Sequence, residues 1–364
     1  MILASFLKKT GQFILFLGLG VAILYWVFLK QEVSYQAYCA ETGIASEDCI
    51  LWKKLWKDLL AVRWYYVLLI FLAFYLSNYF RALRWLIIFE PLGYKPHKYN
   101  AIGTILVSYF ANLGLPRSGE FIRAAMISRY EGIPLDKSLG TVAIDRIVDL
   151  IAMGLIIVIT VLTQIPAFSA LYDKHLAEVP LYQKVILPLT SLVALIAIYL
   201  ARHSIKHLPL IRSLRHRIKG FYEGMSSIKR IKEPRAFLFY TVMIWVWFYV
   251  MLFSALKSFE PTAHLSLSAA LVVYVFGSLG MLIPTPGGMG SYHYLVILSL
   301  AYYNIHPVDA FSFANISFFC AQFANNLLLG VSALIVLYFF NRSRRKAKQS
   351  QIPKDSSTFQ PYDG

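Results

Sequence analysis

The sequence predicts an all-α, polytopic membrane protein with about six full spans and two broken, re-entrant helical hairpins in inverted arrangement. Three observations predict it. The 364 residues are 58% apolar and only 15% charged, with a mean hydropathy of +0.58, where a soluble chain carries roughly 25% charged residues. The basic residues are segregated into runs that border long apolar segments. Two of the apolar regions are interrupted by proline and glycine. This composition excludes disorder, a collagen-like repeat, a disulfide-dense secreted scaffold and an ordinary cytosolic enzyme. The net charge of +16 does not point to nucleic acid. Ten Lys/Arg against two acids lie between Arg202 and Arg235, and six more Lys/Arg lie between Arg342 and Lys354. That placement is the positive-inside signature, and it also favours anionic lipid.

A spanning helix needs ~20 apolar residues. The candidates are 11–29, 64–89, 139–164, 184–201, 236–256 and 311–340. The first follows Lys8 and Lys9 and reads as a signal anchor rather than a cleaved peptide. Cys39 and Cys49 then share a loop with Glu32, Glu41, Glu47 and Asp48. On the outer side such a pair is compatible with a disulfide, which spacing alone does not establish. Trp52 to Leu59 alternates aromatic and charged residues, as a short interfacial helix does. Arg81 and Arg84 read as anchors closing the second span on its inner side. The chain to 341 forms one membrane domain, with halves around 64–164 and 236–340. Residues 342–364 read as a basic, disordered cytoplasmic tail.

Residues 101–130 break at Pro116, Arg117, Ser118, Gly119 and Glu120, and 267–303 break at Pro284, Thr285, Pro286, Gly287, Gly288, Met289 and Gly290. With Lys8 and Lys9 inside, the acidic loops outside and the basic runs inside, the first region must begin and end inside. The second must begin and end outside. Two hairpins entering from opposite faces form an inverted pair, which transporters use to build a midplane site. The alternative is two kinked helical hairpins without symmetry.

Irregular backbone at membrane depth is tolerated where it is buried or lines a cavity. A half-helix follows each break, with Ser118 and Ser291 placed to cap it. Helix N-termini attract anions. Arg117 and Arg123 flank the first N-terminus and His293 stands in the first turn of the second. A phosphate suits the arginine fork. Ordinary interfacial snorkelling of the two arginines is the alternative. Asp145, Arg146 and Asp149 lie within the third span, where charge is costly. Asp145 and Asp149, four apart, share a face. Either their repulsion keeps one protonated for coupling, or they lock Arg117 or Arg123 in place. Asn78, Asn112, Gln322, Asn325 and Asn326 suit interhelical hydrogen bonds. No metal-ligand cluster, P-loop or nucleophile elbow is visible, and no cofactor is expected.

These motifs resemble a family. Leu115 to Arg123 (LPRSGEFIR), Ile133-Pro134 and Asp145 to Asp149 (DRIVD) are similar to the pattern P-x-R-x-G-E-x-x-R followed by E-R-x-x-D of the lysylphosphatidylglycerol synthase transmembrane-region, or flippase-like, family. Pro284 to His293 resembles its P-x-P-G-G-x-G-x-x-E hallmark. Pro116 directly precedes Arg117, Asp145 stands for the usual Glu, and His293 stands where Glu is common. The resemblance implies an integral inner-membrane protein that moves lipid or lipid-linked headgroups between leaflets, while the basic runs by themselves place both termini on the cytoplasmic side. The soluble aminoacyl-transfer domain of multidomain members is not expected, nor is lysyl transfer.

The reading that follows is a lipid translocase for an anionic phospholipid or lipid-linked phosphate. Arg117 and Arg123 would bind the phosphate. Glu120, Asp145, Arg146, Asp149 and His293 would complete the site. Pro116, Gly119, Pro284, Pro286, Gly287, Gly288 and Gly290 would hold the breaks open. The alternatives are a membrane enzyme acting on lipid phosphates or lipid-linked sugars, and a scaffold acting through the basic loop.

Overall fold

Long apolar runs with few helix breakers must satisfy every backbone group internally, and helices do so. Regular structure among the described residues is helical throughout. The computed structural model describes residues 49–114, 118–166, 168–169, 226–283 and 288–350, with scattered positions from Tyr25 to Ala40; side chains are described through Arg344. Span 184–201, nearly all of 11–29 and most of 202–235 lie outside these residues, as do Pro116, Arg117, Pro284, Pro286 and Gly287.

The elements run α1 (Leu51–Leu60), α2 (Trp64–Phe89), α3 (Lys98–Gly114), α4 (Gly119–Glu131), α5 (Leu135–Thr163), α6 (Pro234–Ser258), α7 (Leu267–Leu282), α8 (Ser291–Ala301), α9 (Pro307–Ser317) and α10 (Asn325–Ser350). A π-helical turn, Phe318–Ala324, joins α9 to α10 without a break. Among the described residues, three helices are long and apolar enough to cross a membrane: Trp64–Leu92, Pro234–Ser258 and Pro307–Arg344. The first two agree with expected spans, and the third begins four residues before the expected 311. The 29-residue α5 carries Asp145, Arg146 and Asp149 within its length. It still presents Ile147, Leu150, Ile151, Leu155, Val158 and Leu162 outward, as a lipid-facing stripe would. The last helix continues to Ser350, and no Gly or Pro stands between Asn341 and that end.

The α1 helix exposes Trp52, Trp56 and Leu60 and buries Leu51 against Val308 and Phe311 of α9. Lys54 pairs with Asp58 on its own helix at 2.7 Å and ties α1 to α9 through Asp309 at 2.9 Å. Burial opposes the Lys54 charge, but the two carboxylates outweigh it and raise the ammonium above its ordinary value. Cys39 and Cys49, left open by the sequence, are bonded, with 6.1 Å between their Cα atoms.

Helix packing follows a two-fold pattern. Take α2–α5 as one half and α6–α10 as the other, with α2 matching α6, α3 matching α7, α4 matching α8, and α5 matching α9–α10. Then α2 packs on its mate α6, and the cross-contact α3·α10 is answered by α7·α5. Within the halves, α2·α3, α3·α4 and α4·α5 are answered by α6·α7, α7·α8 and α8·α9. The mates α2 and α6 run antiparallel: the Arg63 N–H donates to Ser258 O at 2.9 Å, while Ser77 Oγ donates to Ile244 O at 3.0 Å. Further along, Phe80 meets Phe239.

Each broken region folds back on itself. In the first, the Gly119 N–H donates to Asn112 Oδ1 at 2.8 Å. In the second, Ser291 Oγ donates to Gly280 O at 2.7 Å. Ser118 Oγ likewise donates to Ala111 O at 3.4 Å. The two serine hydroxyls therefore donate across their hairpins and stitch the arms together, and Ser118, expected as a cap, makes no side-chain cap bond. Gly288 and Gly290 adopt φ of +79° and +83°, which only glycine tolerates readily. At 17, 13, 16 and 11 residues, the four arms reach about 17–26 Å, short of the ~30 Å hydrocarbon core.

The arms touch backbone to backbone. A Cβ at Gly119 would lie 2.1 Å from Ser108 O, and one at Gly280 would lie 2.7 Å from Tyr292 Cα. Gly119→Ala is therefore expected to cost about 1–3 kcal/mol by forcing the arms apart. Gly154→Ala, with nothing within 4 Å, should be neutral or slightly stabilising. Thermal unfolding of the two variants in the same detergent checks the contrast, and equal midpoints would refute it.

Candidate functional site

The site is built where three helices put charge on facing sides. Arg81 and Arg84, three apart on α2, share one face. Asp145 and Asp149, four apart on α5, share another. Arg123 stands one turn into α4. Arg84 Nη2 reaches Asp145 Oδ1 at 2.5 Å and Asp149 Oδ1 at 2.6 Å, and Nε reaches Asp145 Oδ1 at 3.1 Å. Arg81 Nη1 donates to Asp149 Oδ2 and lies 3.7 Å from Asp145 Oδ2. Arg123 Nη2 donates to Asp145 Oδ2 at 2.7 Å. Arg146 Nη2 lies 3.3 Å from both Asp145 Oδ2 and Asp149 Oδ2, and its Nη1 is 4.0 Å from Glu120 Oε1.

Aromatic rings wall the network. The Arg123 guanidinium stacks over Trp85 at 4.8 Å and that of Arg81 over Phe248 at 5.7 Å. Trp85 Nε1 in turn donates to Thr141 Oγ1 at 3.0 Å. Arg84 also reaches Thr241 Oγ1 on α6 at 3.5 Å. From the 1.5 Å rise per residue, Asp145 is ~15 Å into α5 and Arg123 ~12 Å from the end of α4. Asp145 and Asp149 thus lie well inside α5.

Its charge does not balance. Among the described residues, four guanidinium groups face Asp145, Asp149 and Glu120, leaving one positive charge. Arg81, Arg84, Arg123 and Asp145 are essentially inaccessible, whereas the Arg146 side chain is 35% exposed and that of Glu120 28%. Four buried atoms at the cluster have no hydrogen-bond partner: Arg81 Nε, Arg123 Nε, Arg146 Nε and Glu120 Oε2. A surplus buried charge beside unpaired donors is costly unless something anionic or water compensates it. Arg146 is the member of this group most open to such a guest.

Of the residues singled out from sequence, the structure brings together Glu120, Arg123, Asp145, Arg146 and Asp149. Arg117 lies outside the described residues. His293 stands apart, because α8 packs on α7 and α9 whereas the cluster is carried by α2, α4 and α5. His293 Nδ1 accepts the Gly290 N–H at 3.4 Å, Asn315 is its other hydrogen-bond partner, and Phe318 packs on its ring at 4.9 Å. Arg81 and Arg84, expected as topology anchors, are instead the centre of the network. The signal was present: Trp85-Leu-Ile-Ile-Phe89 continues the apolar run past Arg84, so neither arginine closes the span. Arg84 bridges the two carboxylates and Asp145 holds Arg123, which matches the locking alternative rather than the one in which repulsion keeps one carboxyl protonated. Among the described residues no group of three His, Cys, Asp or Glu is placed to hold a metal.

On the face where α4 ends, a second polar set fixes the base of the first hairpin. Asn100 and Asn341 exchange reciprocal amide hydrogen bonds at 3.1 and 2.8 Å. Glu131 accepts from Asn100 and from the His97 N–H, and pairs with Arg344 at 2.9 Å.

Comparison with known proteins adds two findings. A family model described as the lysylphosphatidylglycerol synthase transmembrane region matches residues 48–330. A UPF0104 membrane protein of Methanocaldococcus jannaschii is 25% identical over 276 residues, covering 70% of this chain and 80% of that protein. No solved structure matches the chain.

Proposed function

Because the chain belongs to the lysylphosphatidylglycerol synthase transmembrane-region family and is an integral membrane protein, we propose that it carries an anionic, phosphate-bearing lipid between the two leaflets. The observation that carries the reading is the buried surplus of positive charge, with three unpaired guanidinium Nε atoms and one partly open arginine, Arg146. A phosphodiester supplies the missing negative charge and accepts from arginine in two-point geometry.

The two-fold helix packing supports the transport geometry. Antiparallel mates, α2 and α6, are what inverted halves require, and short back-folded arms suit hairpins entering from opposite faces. The charge belongs to the first half. At the matching place near α8 the second half supplies Tyr292, His293 and Ser317, with Tyr292 and Ser317 hydroxyls 2.9 Å apart. The phosphate is accordingly assigned to the first hairpin, and His293 to holding the second hairpin's tip. The buried carboxylates orient the arginines. Residues 226–233 and 342–350 are assigned to the cytoplasmic side by their basic character.

The test is reconstitution of the full chain into vesicles with trace fluorescent phosphatidylglycerol or phosphatidylcholine, followed by quenching of the outer leaflet. Transfer faster than in protein-free vesicles, with the anionic lipid moving faster than the zwitterionic one, is expected. Rates equal to those of protein-free vesicles would sink the proposal.

A further inference from the structure

Two tyrosines, one from the first arm of each hairpin, reach the charge network. Phe74 on α2 meets Tyr109 of α3 at 5.6 Å and Phe248 of α6 at 6.4 Å, and Phe248 is the ring over which Arg81 stacks. Tyr109 thus belongs to the aromatic wall. Its hydroxyl lies within electrostatic reach of both Arg81 and Arg146. From the other side, α7 packs on α5 and α6. Its Tyr274 is 7% exposed and meets the ring of Tyr249, the neighbour of Phe248, at 6.0 Å. The Tyr274 hydroxyl shares a hydrogen bond with the Ser278 side chain, and Arg81, Asp149 and Tyr109 all act on it electrostatically.

Neutral donors at this place have a chemical use. The network has one positive charge to spare, which an anion with a single negative charge cancels. The remaining contacts of that anion must come from groups that add no further charge. A tyrosine hydroxyl carries one donor and two acceptor lone pairs. Tyr274 can therefore accept from Ser278 and still donate its own hydrogen. Tyr109 and Arg146 are both half-buried, whereas Tyr274 is buried, so the two hydroxyls stand at different depths beside the same arginines.

We propose that Tyr109 and Tyr274 are binding residues of the anion site, each donating its hydroxyl hydrogen to a free oxygen of a phosphodiester held at the Arg81 and Arg146 side of the network. The inference rests on the reading that the network takes a phosphate-bearing lipid. It deepens that reading by giving a contact to the half whose described residues bring no charge to the network. The site is then shared between the two hairpins, as substrate sites of inverted-repeat transporters are.

The full chain in an uncharged maltoside detergent is titrated with dihexanoyl phosphatidylglycerol and with glycerol 3-phosphate, and binding is read by thermophoresis. Wild type, Y109F, Y274F and Y65F are compared, and each is also assayed for transfer of labelled phosphatidylglycerol in vesicles. Phenylalanine keeps the ring and removes only the hydroxyl. Loss of one neutral hydrogen bond corresponds to roughly 2- to 13-fold in a binding constant. Y109F and Y274F are each expected to weaken binding by that amount while unfolding at a temperature near that of wild type. Y65F, altered at a ring 62% exposed in the first turn of α2, is expected to bind as wild type does. Tighter binding of phosphatidylglycerol than of glycerol 3-phosphate identifies a lipid as the ligand, and equal binding identifies the phosphate group alone. Wild-type affinity in Y274F overturns the proposal, as does absence of binding of both probes, or affinity lost only together with a fall in unfolding temperature. Binding that weakens as expected in a protein that transfers no lipid would end the carrier reading and leave this site standing.

Discussion

Asp145→Asn is expected to be the most damaging single substitution in the described part of the chain. The side chain keeps its shape and loses its charge. Asp145 is fully buried and accepts from both Arg84 and Arg123, with Arg146 at 3.3 Å. Its loss leaves the inaccessible guanidinium groups of Arg81, Arg84 and Arg123 against the single carboxylate of Asp149. Removing one partner of a buried pair typically costs 3–5 kcal/mol, about the stability margin of many domains. The expected result is a sharp drop in monodisperse protein and in unfolding temperature in detergent. The cause is the stranded arginine rather than the lost carboxylate, so D145N/R123M should recover part of the stability. Asp149→Asn should cost less, because its side chain remains 11% exposed and water can reach the vacated position. A D145N protein that unfolds with wild-type protein would show that the network adds nothing to the fold.

Arg146→Gln is expected to separate transport from stability. Arg146 lies on the edge of the network, and the arginines behind it keep their own contacts to Asp145 and Asp149. Its removal leaves both aspartates paired and takes only a 4.0 Å contact from Glu120, whose side chain is 28% exposed. A hydrogen bond to a charged group is worth about 1.5–3 kcal/mol, which corresponds to roughly 10- to 150-fold in a binding or rate constant. Transfer of labelled phosphatidylglycerol in vesicles should fall by at least that lower bound, while the unfolding temperature stays near that of wild type. Lysine at this position should restore only part of the rate, since an ammonium cannot offer the two-point fork. Unchanged transfer in R146Q would remove this residue from the phosphate path. A collapse of stability in R146Q would instead assign it to the fold.

Much of the architecture was legible because hydropathy is a local property. The span at 64–89 coincides with its observed helix, and 236–256 falls inside Pro234–Ser258. The α1 helix, expected from Trp52 to Leu59, was legible from the spacing of its tryptophans and lysines, and the hairpin breaks from proline and glycine. The charges of α5 stood out because aspartate and arginine are rare inside a span. Arg81 and Arg84 were read as anchors because arginines near a span end usually are. Their partners are 61–68 residues away, and no periodicity within α2 indicates which helix will face it. The partners of His293 were hidden for the same reason: its spacing after Gly290 fixed a first-turn position, but not that Asn315 and Phe318 would meet its ring. The stitching roles of Ser118 and Ser291 depended on carbonyls 7 and 11 residues back along the chain.

The sequence by itself determined the solvent for which this chain is built, the family resemblance, the two interruptions, and which side chains would be expensive to bury. Only the tertiary structure decided that those charges meet as four arginines around Asp145, Asp149 and Glu120, and that one charge is left over among the described residues. The physical reason is that burial of apolar surface follows from composition over about 20 consecutive residues. The balance of a buried charge depends instead on distances of a few ångströms between helices far apart in the chain.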